Sequence, residues 1–171
     1  CLNIQGWFGD ADQYYSAAAE LYGKVYDRTG TPTDAAQYAA ALLNTGENAF
    51  KAGIYDHSRE KFEEGLKIYE QALSGMGDYH TAQYYAWASY YTLIFPRDYE
   101  TAVDYGVAAV QLQPASVLAN LNLGYACLYA GYYEDCDTLL GWVAGLGDGQ
   151  VDAIRLDLEA QARAGLHSDH T

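Results

Sequence analysis

Residues 118–140, LANLNLGYACLYAGYYEDCDTLL, carry the pattern on which the reading of the whole chain depends. An apolar helical run ends at the break Ala130-Gly131-Tyr132, and a second apolar run begins at once. Two helices this short cannot bury their own apolar faces, so such a pair is suited to serve as one unit in a stack.

The pattern returns upstream. A shift of 34 residues takes Tyr133 to Tyr99, Cys136 to Ala102, Tyr125 to Tyr91 and Tyr129 to Phe95, and this earlier copy closes with Pro114 just past its second helix. A shift of 78 residues takes Leu121, Asn122, Gly124, Gly131, Tyr133, Cys136 and Leu140 to Leu43, Asn44, Gly46, Gly53, Tyr55, Ser58 and Phe62. Since 78 exceeds two periods of 34 by 10, the excess is expected near Ser74-Gly75-Met76-Gly77-Asp78.

On these residues the chain resembles the tetratricopeptide repeat family. Leu123-Gly124, Gly131-x-Tyr133 and the small Cys136 match that family's unit in the last copy, as do Asp98-Tyr99, Ala102, Ala109 and Pro114 in the one before. The middle unit has Ser89-Tyr90 where Leu-Gly is usual, and the first lacks the leading Leu and the exit Pro. The resemblance covers roughly residues 39–150 and implies an all-α, right-handed superhelix, or α-solenoid, of antiparallel helix pairs. It implies little about a ligand, because the motif residues are structural.

Composition agrees with this fold class. Three prolines, few Val or Ile and abundant Ala, Leu, Tyr, Gln and Glu favour helix, and half of the 171 residues are apolar, enough for a sizeable core. The formal charge of -14, with nine scattered Lys and Arg, argues against a nucleic-acid partner and against adsorption to anionic lipid.

In chain order, Tyr14, Ala17, Ala18, Leu21, Tyr22 and Val25 form an apolar face on a helix expected over residues 10–28. Gly30 and Pro32 mark a stop and restart, with Thr33 or Asp34 available as the cap. Further helices are expected to about Ala52, from about Asp56 to Leu73 and from near His80 to Phe95. Pro96 should sit at or near the first turn of the next helix. The rest should run to about Gln113, over 116–130, over 133–143 and over 151–164. The last keeps Val151, Ile154 and Leu158 on one side and Asp152, Arg155, Asp157, Glu159 and Arg163 around the remainder, the polar outer face of a capping helix. The expected organisation is one repeat domain over residues 9–165, with units near 39–72, 83–116 and 117–150 and flanking helices at 10–28 and 151–164. A tail or tether occupies 1–8 and a C-terminal tail 166–171.

Chemistry-bearing motifs are sparse. The glycines sit at turns, and there is no His-Glu-x-x-His, CxxC or nucleophile elbow, so neither catalysis, a metal nor a cofactor is expected. His57 reads as a surface or capping residue, and His167-Ser168-Asp169-His170 as a tail. Cys127 and Cys136 read as small core residues, with a disulfide as the alternative suited to an exported protein. Cys1 has two readings: an arbitrary cut in a longer chain, or the lipid-bearing first residue of a bacterial lipoprotein. The localisation is correspondingly either cytoplasmic or extracytoplasmic and anchored at a membrane through the N-terminus.

The functional expectation rests on the first helix of each pair, which in the resembled family lines the concave surface. The shift places Tyr84, Trp87, Tyr91 and Phe95 there in the middle unit, Asn122, Tyr125 and Tyr129 in the last, and Asn44 in the first. Large aromatic contact area with two amide side chains suits a peptide or protein partner. A non-catalytic interaction scaffold is therefore expected. The alternatives are a structural or self-associating segment of a larger protein, and a small-ligand or glycan groove built on the same aromatics.

Overall fold

The computed structural model describes the backbone of residues 4–166, and within it the side chains of residue 11 and of residues 13–166. Cys1 and the His167-Ser168-Asp169-His170 tail lie outside the described residues. Among the described residues there are eight α-helices, one 3-10 turn and no strand: α1 (Ile4–Thr29), α2 (Pro32–Ala52), α3 (Tyr55–Ala72), the turn Leu73–Gly75, α4 (Asp78–Ile94), α5 (Tyr99–Leu112), α6 (Val117–Ala130), α7 (Tyr133–Ala144) and α8 (Asp148–Arg163). None of the described helices is long and apolar enough to cross a membrane.

Boundary chemistry explains where these helices start. α2 is capped by Thr31, not by Thr33 or Asp34 as the sequence suggested: the Thr31 hydroxyl accepts from the Asp34 N–H at 3.2 Å, and Pro32 takes the first helical position. Proline has no N–H to satisfy there and its φ is already helical, which pushes the cap to the residue before it. The Asp34 carboxylate then receives the Thr29 and Thr31 hydroxyls, at 2.6 and 2.7 Å, which hold it below its usual pKa. α1 begins at Ile4, so residues 4–8 of the expected tail are helical and Gly9 is carried inside the helix. An interior glycine costs only about 1 kcal/mol.

Two helix hairpins close through the same backbone turn, and a third shares its positive-φ residue. Gly53 (φ 82, ψ 16) ends α2 and Gly131 (φ 86, ψ 11) ends α6, both left-handed. In each hairpin the next residue bonds back across the turn, Ile54 N–H to the Ala49 carbonyl and Tyr132 N–H to the Cys127 carbonyl. The hairpin of α4 and α5 places Arg97 at the matching position, at φ 58, a conformation non-glycine residues avoid. Pro96 therefore lies in this turn instead of in the first turn of α5, which Asp98 caps by accepting from the Thr101 N–H.

The chain divides into two compact units, Cys1–Gly77 and Asp78–Thr171, parted at the loop where the repeat spacing carries its excess. In the first unit α2 packs on both α1 and α3. Leu43, Phe50, Phe62 and Tyr69 are buried at its centre. Gly46 permits a close approach: a Cβ there would stand 2.8 Å from the Phe62 ring. Ser58, fully buried, donates to the Gly46 carbonyl at 2.7 Å across the same crossing.

The second unit repeats the device. Gly124 faces Leu140 as Gly46 faces Phe62, and in the α4–α5 hairpin the buried Ser89 hydroxyl donates to the Ala102 carbonyl at 2.7 Å. Here α4 packs on α5 and α6, α5 on α6, α6 on α7 and α7 on α8. The packing face of α8 differs from its sequence pattern: Val151 is half exposed, while Asp157, Ala160 and Gln161 are buried. Tyr125, fully buried on α6, donates its hydroxyl to Asp157 Oδ2 at 3.0 Å, so a carboxylate that looked like outer-face decoration becomes an internal acceptor. Gln161 is also fully buried, and among the described residues neither its amide oxygen nor its nitrogen finds a hydrogen-bond partner.

Candidate functional site

The eight residues expected to wall a concave groove separate on inspection. Asn44 belongs to the first unit, where it is half-buried and its Nδ2 donates to the Ala40 carbonyl of its own helix at 2.8 Å. The other seven belong to the second unit. Of these, Trp87, Asn122, Tyr125 and Tyr129 are interior residues, each less than a tenth exposed. Asn122 spends its amide donor on the Ala86 carbonyl of α4 at 2.9 Å. Tyr125 is held by Asp157, and Tyr129 packs its ring 5.7 Å from that of Tyr99 while burial pushes its hydroxyl up to about 12. These four fill the space between helices in this arrangement. Tyr84 and Tyr91 on α4 and Phe95 just past its end remain half-buried, with the Tyr91 and Phe95 rings 5.4 Å apart.

Cys127 and Cys136 are both buried free thiols in one cluster with Leu123. Burial, then the nearby Asp135 and Cys136, pushes the Cys127 thiol up to about 11, and burial raises Cys136 as well. Both are neutral thiols near pH 7, poor nucleophiles that serve as apolar packing. Among the described residues no group of three His, Cys, Asp or Glu is placed to hold a metal ion.

Two open grooves lie over the middle helix of a three-helix set, one in each unit. In the first unit a groove of about 390 Å³ runs between α1 and α3, floored by Tyr38, Leu42 and Thr45 of α2. Both of its lysines are paired: Lys24 with Glu20, and Lys61 with Glu60 and Glu64, while the Tyr38 hydroxyl donates to Glu64 at 3.0 Å and Asp27 adds a further carboxylate.

In the second unit a groove of about 490 Å³ runs between α5 and α7 over α6. Leu123 and Cys127 form its floor, Val103, Val107 and Leu139 its walls, and Glu100, Asp104 and Asp135 its rim. The positions 100, 103, 104 and 107 share one face of α5 by helical spacing, as 135, 138 and 139 do on α7. The Tyr132 hydroxyl spans the groove end and donates to both Glu100 oxygens, at 3.1 and 2.9 Å. That bond, and the carboxylate's charge, raise the Tyr132 pKa and keep it a donor. Among the described residues no Lys or Arg lines this groove.

Sequence reasoning missed this site because it searched the first helix of each pair, while both walls come from second helices. The signal was available: Val103 and Val107 are apolar positions on α5 flanked by Glu100 and Asp104, a stripe with a charged margin.

Comparison of the chain with protein-family models, with curated proteins and with solved structures finds no match.

Proposed function

We propose that this chain is a non-catalytic protein-interaction scaffold of tetratricopeptide type, a right-handed stack of helix pairs that binds a partner protein. The repeat reading is supported by the matched turns at Gly53, Arg97 and Gly131 and by the matched close approaches at Gly46 and Gly124. The observation that carries the binding reading is the α5–α7 groove, where apolar floor and walls stay open beneath a charged rim. A cleft of this volume falls within the range of about 300–1,000 Å³ typical of ligand sites.

The test is affinity capture from the source cells with wild type and Val107→Asn. Val107 is 39% exposed on α5, and Val and Asn have similar helix propensities, so the substitution leaves the fold intact. A protein retained by wild type and lost by the variant, at equal helical content by circular dichroism, supports the reading. Equal retention, or capture of nothing, refutes it.

A second reading, self-association, draws on α1. Tyr14 is 78% and Leu21 61% exposed, because α1 packs through Ala19 and Gly23 and turns most of its expected apolar face outward. A mass that rises with concentration in light scattering, and returns to monomer on Tyr14→Ser/Leu21→Ser, would favour it.

A further inference from the structure

Resting on the reading that the α5–α7 groove is a binding site, we infer that its occupant is a basic amphipathic segment of a partner protein. Its apolar side chains lie on Leu123, Val103, Val107 and Leu139, and its Lys or Arg side chains reach Glu100, Asp104 and Asp135.

Charge complementarity decides the class. The rim holds three carboxylates and no cation, and residues 78–171 carry twelve Asp or Glu against three Lys or Arg. Two of those three are committed: Arg97 donates to the Ala164 carbonyl, and Arg155 pairs with Asp152 and Glu159. The third, Arg163, lies at the end of α8. The first-unit groove is closer to balance, since Lys24 and Lys61 stand among its three carboxylates, Glu20, Asp27 and Glu64.

An acidic segment, a nucleic-acid phosphate or an anionic lipid face would meet like charge at this rim. So would a second copy of a chain whose net charge is -14. A wholly apolar segment would cover the carboxylates without returning the hydrogen bonds they make to water. Lysine and arginine satisfy both features at once, because their methylene stems lie over apolar walls while their charged heads reach outward. Tyr132 contributes by fixing Glu100 through both oxygens, so that this carboxylate is already placed when the partner arrives.

The test uses fluorescence anisotropy with an 18-residue labelled helical peptide that has Leu at positions i, i+3, i+4 and i+7 and Lys or Arg elsewhere. A second peptide keeps the Leu face and carries Glu in place of the cations, and a third keeps the cations but has Gln for Leu. Wild type should bind the first and hold the other two at least about tenfold more weakly. Glu100→Gln/Asp104→Asn/Asp135→Asn should weaken the first peptide by about tenfold. Asp56→Asn/Glu60→Gln/Glu70→Gln on α3 removes the same formal charge and should leave it within about twofold. Equal binding of the basic and acidic peptides, equal loss in both triple variants, or no binding by any peptide overturns the inference. A partner captured by wild type and lost by Val107→Asn would still uphold the groove itself, so the two failures are distinguishable.

Discussion

Tyr125→Phe removes one oxygen atom and, with it, the hydroxyl that Asp157 receives at 3.0 Å in the interior of the second unit. The two residues are 0% and 3% exposed, so water cannot replace the lost donor without opening the contact between α6 and α8. Hydrogen bonds to charged groups contribute about 1.5–3 kcal/mol, and this one is made in the interior. The expected result is a destabilisation of about 2 kcal/mol. Asp157→Leu should be destabilising alone, yet Tyr125→Phe/Asp157→Leu should cost about 1–2 kcal/mol less than the sum of the single changes, because each single change already removes the bond that the two residues share. Urea unfolding followed by tryptophan fluorescence suits the measurement, since Trp87 and Trp142 both belong to this unit. A Tyr125→Phe protein within about 0.5 kcal/mol of wild type, or a coupling energy of zero, would mean that α8 does not close over Tyr125. The account of why this aromatic is unavailable to a partner would then fail.

Other outcomes follow from neighbouring geometry. Gly46→Ala should lose about 1–2 kcal/mol in urea unfolding, since the new Cβ meets the buried Phe62 ring at 2.8 Å and the Ser58 carbonyl at 3.1 Å. Gly124→Ala should be closer to neutral, because its nearest obstacle is the flexible, half-buried Leu140 side chain and alanine gains about 1 kcal/mol in helix propensity; equal losses would contradict this. Arg97→Gly relieves about 1 kcal/mol of left-handed strain while giving up the bond to Ala164, whereas Arg97→Ala keeps the strain and loses the bond. Thermal unfolding should therefore rank wild type and glycine together, with alanine below. Alkaline pH should weaken the fold through Cys127. Its thiol rises from 9.0 to about 11 on folding, so its contribution is complete below pH 9 and disappears as pH climbs to 11, amounting to at most about 2 kcal/mol after screening. Unfolding free energy that stays flat from pH 8 to 11 in wild type, or falls equally in Cys127→Ala, would count against it.

The helices were legible because their punctuation is local. Pro32, Gly53 and Gly131 act through their own backbone restrictions, and the spacing of Gly46 and Phe62 against Gly124 and Leu140 exposed the hairpin repeat without tertiary information. The candidate site was not legible in the same way. Tyr125 looks the same whether a groove or a neighbouring helix receives it, and what decides is α8, whose charged sequence disguised a packing face built on Asp157 and Gln161. Asn122 was misjudged for a related reason: an amide reads as a free recognition group until the helix carrying Ala86 is laid against it. The α5–α7 groove needed knowledge of which second helices stand side by side, and no single stretch of sequence contains that.

The fully buried Gln161 has a kinetic consequence. An amide with neither atom bonded forfeits about 1–3 kcal/mol when α8 is docked and recovers it in water when α8 lifts away. The docking of α8 is weakened by that amount. Its amide protons should exchange with deuterium through detachment of α8 alone, while those of α6 wait for the whole unit to unfold. α8 would then behave as a hinged cover, briefly presenting the Tyr125 face that the closed fold conceals.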